Sequence, residues 1–215
     1  MKRSEINGGP APSSSFRSKE KKLVRLAQRG DKDAFQRLAS RYYRNVYGLA
    51  LTLCKDREEA ADVTQEAVVK AYRKIRAYRH QAPFSSWLLQ ITRNAFIDRV
   101  RKSAQLRDKH DRMDRESVGP SPEDPEALLG RKDTAEMVRC ALARVAEPYR
   151  EAVHLFDIQG LSYQEVADVC DVPIGTIKSR LRRGRDALRR ELVEAGALGS
   201  ADSGREERKK VEGKK

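Results

Sequence analysis

Several things are scarce in this 215-residue chain, and each shortage removes a class of function. It has three cysteines (Cys54, Cys140 and Cys170) at wide spacing with no CxxC, and three histidines, which excludes a disulfide framework and gives no metal-ligand spacing. The cysteines read as reduced core residues. No run approaches the ~18–20 consecutive apolar residues of a membrane span, and MKRSEINGGPAPSSS lacks the apolar centre of a secretory signal. The expectation is a cytoplasmic protein with no direct membrane insertion. No nucleophile–base pair, metal cluster or phosphate-cradling glycine loop appears, so neither catalysis nor a cofactor is expected. What is abundant is charge: 45 Lys and Arg against 32 Asp and Glu give +13, with a pI near 9.8, a field that attracts polyanions.

The length and the distribution of apolar residues predict an all-α protein of two small helical domains joined by a flexible linker. Residues 1–17 are rich in Gly, Pro and Ser and read as a disordered tail; 196–215 read as a charged tail. Residues 103–132 hold Pro120, Pro122 and Pro125 without an apolar period and read as the linker. This leaves bodies at 18–102 and 133–195. In the first, Phe35, Leu38, Tyr42, Val46, Leu49 and Leu53 form one helical stripe, and Ala60, Val63, Ala67, Ala71 and Ile75 a second. Trp87, Leu88, Ile91, Ala95 and Val100 form a third. In the second body, Val138, Ala141, Leu142 and Val145 mark one helix, and Ala152, Val153, Leu155 and Phe156 another that ends at Gly160.

Ser162-Tyr163-Gln164-Glu165 is a capping box that opens a short helix, Asp171-Val172-Pro173 breaks it, and Pro173 favours the opening of the next. From Thr176 to Arg190 seven cations face the single Asp186. Ile177, Leu181 and Leu188 hold one side to the core, which leaves Lys178, Ser179, Arg182 and Arg183 on a polar face able to enter a major groove. Arg185 adds to that charge, while Gly175 and Thr176 offer first-turn N–H groups to a phosphate. A charge run alone more often marks a solvated face; its coincidence with a capping box and a turn proline favours DNA binding.

In the first body Asp56, Glu58, Glu59, Asp62 and Glu66 face only Arg57. Asp62, Gln65, Glu66, Val69 and Tyr72 share an outward sector, an acidic face with an apolar edge that suits a basic protein partner. An acidic helix N-terminus favoured by its own dipole explains the same residues, and both readings stand. The following FSSWLLQITRNAFIDRVRK reverses sign and is interleaved with aromatic residues, the composition expected where unstacked bases meet a cationic groove. Asn94 is the better candidate for base contact; Trp87 lies in phase with Leu88, Ile91 and Ala95, which favours a core position.

In this order, DREEAADVTQEAVVKAYRKI, FSSWLLQITRNAFIDRVRK and REAVHLFDIQGLSYQEVADVCDVPIGTIKSRLRRGRDALRREL resemble the conserved regions of the extracytoplasmic-function sigma factors, over roughly 33–102 and 134–192. Ala67-Val68 and Ala146-Glu147-Pro148 depart from the usual family pattern. The resemblance implies a non-enzymatic initiation subunit whose partners are core RNA polymerase, promoter DNA and, in many members, an anti-sigma factor that no residue here names. It implies that Asp62, Gln65, Glu66, Val69 and Tyr72 dock on the clamp coiled coil of the largest polymerase subunit. Trp87, Arg93, Asn94, Asp98, Arg99, Arg101 and Lys102 would capture the single-stranded minus-ten element. Gly175, Thr176, Lys178, Ser179, Arg182, Arg183 and Arg185 would read the minus-thirty-five duplex. Elements two helical turns apart lie ~70 Å from each other. Thirty extended residues reach ~100 Å but relax to ~30 Å, so polymerase must set the spacing and the free chain is expected to be compact or heterogeneous.

A free-standing helix-turn-helix regulator explains the second body equally well but not the acidic patch followed by a basic, aromatic helix. A recombinase-like enzyme would need a catalytic domain that two small helical bodies do not supply.

Overall fold

A computed structural model of the chain describes residues 14–110 and 134–197, and among these every element is helical. The linker expected at 103–132 and the tails expected at 1–17 and 196–215 lie largely outside the described residues. Where they overlap them, helix α1 already begins at Ser14 and α4 runs on past residue 102 to His110.

The front body comprises α1 (Ser14–Gln28), α2 (Lys32–Cys54), α3 (Arg57–Lys74) and α4 (Phe84–His110). Asp31 caps α2 by accepting from Ala34 N at 2.9 Å, and Asp56 caps α3 by accepting from Glu59 N at 2.7 Å. These aspartates satisfy donors that have no partner within their helices. The α2 stripe is buried apart from Tyr42, and Ala60, Val63, Ala67, Ala71 and Ile75 are all buried on α3. Its alanines let α3 lie close to both α2 and α4. Val100 is 48% exposed, so the third stripe ends before it, at Ala95 and Phe96. The sequence names no stripe before Phe35, yet Val24 and Ala27 of α1 are buried, and Gln28 Nε2 donates to Ile75 O and Tyr78 O.

The rear body comprises α5 (Thr134–Arg144), α6 (Glu147–Val153) with a π-helical turn over His154–Ile158, α7 (Tyr163–Cys170) and α8 (Ile174–Glu194). Pro148 occupies the first turn of α6, where its missing N–H is tolerated. Gly160 adopts φ +74°, and Asp171 ends α7 with φ 54°. The capping box forms in both directions: Glu165 N donates to Ser162 Oγ at 3.3 Å, and Ser162 N to Glu165 Oε2 at 2.8 Å. Ile177, Leu181 and Gly184 of α8 are buried, and Leu188 packs against them. At Gly184 a Cβ would stand 2.7 Å from Val153 Cγ2 and 2.8 Å from Tyr149 O, so glycine sets the closeness of α8 to α6.

The two bodies touch. α2 packs on α6 and the π-helical turn, α4 packs on α7, and the buried side chains of both bodies form one continuous cluster. The cysteines are reduced, but only Cys170 is a core residue; Cys54 is half-buried and Cys140 exposed, because α5 turns position 140 away from Ala141 and Leu142. Burial pushes the Cys54 and Cys170 thiols up to about 12.

Candidate functional site

The structure gathers the sequence-selected residues onto three surfaces. The first is the outer side of α3, opposite its buried alanines. Asp62 and Gln65 are exposed there, Glu66 is half-buried, and Val69 and Tyr72 are among the most exposed large apolar residues. Tyr72 is held edge-on against Phe35 at 5.0 Å. The dipole explanation accounts for Asp56, which is a cap, and for Glu58 and Glu59 in the first turn. Asp62 and Glu66 lie beyond that turn and need another cause. Part of it lies on α4, because Arg99 reaches Asp62 at 2.9 Å and Glu59 at 3.5 Å. Lys70 likewise bridges Glu66 and Asp98, each at 2.8 Å. Desolvation works against the Lys70 charge, but hydrogen bonds to Asp98 and Glu66 outweigh it and raise its pKa, while the bond from Lys70 holds Asp98 below the usual carboxylate range. The acidic and basic helices of the front body are thus cross-linked neighbours.

The second surface is α4 and the segment that leads into it. Trp87 is half-buried, its ring 5.0 Å from Tyr78 and 5.4 Å from Phe84. Tyr78 and Trp87, with Arg79, Ser86 and Gln90, line a cavity of about 210 Å³ whose far wall is Asp168 and Val169 of α7. Asn94, Arg101 and Lys102 are exposed, whereas Asp98 and Arg99 turn toward α3. Arg93 turns the other way and pairs with Glu151 at 2.7 Å.

The third surface is α8. Gly175, Lys178, Ser179, Arg182 and Arg183 are exposed opposite Ile177, Leu181 and Gly184. Lys178 and Arg182 make no ion pair among the described residues, and Arg183 donates to Tyr149 OH at 3.2 Å. Thr176 N already donates to Pro173 O at 2.9 Å, which leaves Gly175 as the first-turn donor of that pair. Arg185 is engaged within the body: it forms two bonds to Asp157, at 2.6 and 2.9 Å, and lies over the Phe156 ring at 5.2 Å. The Asp157 hydrogen bond raises its pKa.

The sequence reading missed the seam between the bodies. Arg150 is 3% exposed and donates through Nη1 to Val145 O at 2.9 Å and through Nη2 to Leu53 O at 3.3 Å, one of the carbonyls left over at the C-terminus of α2. His154 has Thr52 Oγ1 at 2.8 Å from Nδ1 and Gln159 Nε2 at 3.0 Å from Nε2; Gln159 is itself oriented by Asn45, which bonds both ends of its amide. With an amide donor facing Nε2, the imidazole is neutral with its proton on Nδ1. Desolvation lowers its pKa from 6.5 to about 4. The available signal was polar residues within an all-round apolar helix, R-E-A-V-H-L-F, a pattern that marks a helix buried on every side.

Among the described residues no group of three or more His, Cys, Asp or Glu could hold a metal, and no helix is long and apolar enough to cross a membrane. Residues 38–105 match the sigma-70 region 2 family, and residues 135–188 match the sigma-70 region 4 family. The chain is 32% identical over 180 residues to the RNA polymerase sigma-H factor of Pseudomonas aeruginosa, spanning 80% of this chain and 93% of that one. It is 32% identical over 186 residues to the ECF RNA polymerase sigma factor SigW of Bacillus subtilis, spanning 80% and 96%. Among solved structures it is similar to the sigma factor RpoE of Bartonella quintana in complex with the anti-sigma factor NepR, with TM-score 0.59, 28% identity and 74% and 96% of the two chains covered. CnrH in complex with the cytosolic domain of CnrY shares the fold at TM-score 0.58 and 23% identity, over 82% and 98%.

Proposed function

The chain belongs to the extracytoplasmic-function sigma factors of RNA polymerase, and on that premise we propose how its three surfaces divide the work of promoter-specific transcription initiation. The outer face of α3, with Asp62, Gln65, Glu66, Val69 and Tyr72, docks on a basic coiled coil of core polymerase. Exposed carboxylates steer the encounter and the Val69–Tyr72 edge supplies desolvated contact. The α4 surface receives the melted minus-ten strand: Asn94 reads a base edge, Trp87 offers a ring for stacking, and Arg93, Arg101 and Lys102 meet phosphates. Arg99 and Asp98 act indirectly, by tying α4 to α3. The α8 helix reads the minus-thirty-five duplex through Lys178, Ser179, Arg182 and Arg183, with Gly175 on a phosphate. Arg185 holds the π-helical turn through Asp157 and so sets the pose of α8.

Polymerase supplies the chemistry; this chain supplies recognition, in the cytoplasm where both partners are. An inhibitory protein of the kind that NepR is for RpoE is a further partner on this reading.

The observation that carries the proposal is the sidedness of α8, where Lys178, Arg182 and Arg183 stand exposed opposite the buried row Ile177, Leu181 and Gly184. Run-off transcription by core polymerase with and without the chain, with start sites mapped, tests it. Redirected initiation is expected, and unchanged start sites would remove the assignment. Asp62→Ala should weaken assembly with core polymerase, and equal affinity would remove the α3 face from the account. Arg182→Ala should cost about 1–3 kcal/mol at one promoter position if the guanidinium reads a base; a uniform loss across sequences would make it a phosphate contact instead.

A further inference from the structure

Between Ser18 and Gly30 the chain carries five cations and a single acid, Glu20. That acid is turned inward, where it accepts from Tyr42 OH, and Val24 and Ala27 are buried on the same side of α1. Lys22, Arg25 and Arg29 form an exposed row on the other side, with Lys21 at its edge, and none of the four has an ion-pair partner among the described residues. α1 packs on α2 and on the Ile75–Ala77 turn, both within the front body.

The row does not end with the helix. Gln28 Nε2 donates to Ile75 O at 3.2 Å and to Tyr78 O at 2.8 Å, which fastens the C-terminal end of α1 to the turn. At that junction Arg76 is exposed, and its Nη2 stands 3.8 Å from the place a Cβ at Gly30 would take. Further along the same turn, Arg79 lines the Trp87 cavity. Arg79, Arg76, Arg29, Arg25 and Lys22 therefore lead in sequence from that cavity along α1. A helix charged only for solubility would have no reason to bring its row to a ring-lined cavity. From Lys22 to Arg29 the helix rises about 10 Å at ~1.5 Å per residue. A stacked strand advances ~3.4 Å per nucleotide, so this stretch spans about three phosphates.

We propose that this row is a phosphate track for the melted strand beyond the Trp87 cavity: Arg79 and Arg76 turn the strand onto α1, and Arg29, Arg25 and Lys22 each meet one phosphate. This rests on the reading of the Trp87 cavity as part of the strand-binding face. The occupant is single-stranded, because the path begins at a ring on which only an unpaired base can stack. The contacts are to the backbone alone, so the track strengthens the hold on an opened promoter without adding sequence preference.

Two variants of the full-length chain test the track. The first combines Lys22→Gln, Arg25→Gln and Arg29→Gln; glutamine matches lysine and arginine in helix propensity, so α1 is retained. The second combines Arg25→Lys and Arg29→Lys and keeps the charge. Holoenzymes made with wild type and each variant are titrated against salt with two fluorescein-labelled probes: a single strand of the non-template sequence upstream of the mapped start, and a blunt duplex of the minus-thirty-five region. At ~0.7 of slope per single-strand phosphate contact, the glutamine variant should lose about 2 from the slope of log K against log salt on the single strand, so that a roughly fourfold rise in salt weakens it about 16-fold less than wild type. The lysine variant should keep the wild-type slope, and the duplex should distinguish none of the three. Equal single-strand slopes for wild type and the glutamine variant overturn the track. So does an equal loss on both probes, which makes the row a general polyanion contact, or an equal loss in the lysine variant, which makes the effect structural. Lost affinity for core polymerase in place of any change in slope overturns it in favour of an acidic protein surface. In each of these cases wild-type holoenzyme still initiates at its promoter and the sigma-factor reading stands. Failure of wild-type holoenzyme to initiate removes that reading, and the track with it.

Discussion

Helices α4 and α8 are both long and arginine-rich, yet they spend their charge differently. On α4, Arg93 is committed to Glu151 and Arg99 to Asp62 and Glu59, while Asp98 is taken by Lys70. On α8 Arg185 is taken by Asp157 and Arg183 donates to Tyr149, while Lys178 and Arg182 face solvent. Counting cations would rate the two surfaces alike. Counting their partners separates them, since α8 keeps Lys178 and Arg182 unpaired among the described residues whereas Arg93 and Arg99 of α4 are both held by carboxylates. In each body the basic helix owes its pose to a helix it packs on, α3 for α4 and α6 for α8.

The comparison breaks most sharply at Gly184. Gly184→Leu forces a side chain where even a Cβ would meet Val153 and a backbone oxygen below 3 Å, and should destabilise the rear body by about 3 kcal/mol or more. Duplex binding should be lost while assembly through α3 persists, which denaturant titration and co-purification with core polymerase would show.

Next in size is the response to acid. His154 is neutral while the two bodies are packed together, its pKa near 4, and returns toward 6.5 when they part. Between these values the parted chain binds the extra proton, so the packed arrangement is fully favoured above about 6.5 and loses ground as pH falls toward 4, by at most about 3 kcal/mol. The fluorescence of Trp87, the single tryptophan, should report opening over that window, and a His154→Gln variant should flatten the curve.

A third expectation concerns salt. Lys178→Ala should lower the salt slope of duplex binding by about one phosphate contact. Smallest of all, Arg99→Gln breaks exposed pairs and should change stability by no more than about 1 kcal/mol, read as a thermal midpoint.

Much of the fold was legible where local chemistry decides it. The stripes on α2 and α3 are buried as their spacing requires, Gly160 takes the left-handed conformation, and Ser162 and Glu165 exchange the capping bonds that their separation allows. The exposed face of α8 was legible for the same reason, since Ile177 and Leu181 fix which side turns inward. What could not be read was anything decided across the linker. Glu165 looks complete as a cap, and nothing near it in the chain indicates that its other oxygen accepts from Ser86. Arg93 reads as a strand contact because its partner Glu151 lies 58 positions away. Within the rear body too, Gly184, flanked by arginines, gives no local sign of its close approach to Tyr149 and Val153.

The π-helical turn ties this long-range order to chain length. At ~100° per residue, positions 154 and 159 of an ordinary α-helix would point about 140° apart. The wider ring closed by Gln159 N to His154 O at 2.9 Å swings Gln159 back onto the imidazole. Spacing here matters as much as chemistry: a descendant shortened by one residue between these positions could retain every side chain of the seam and still lose the alignment that lets them meet.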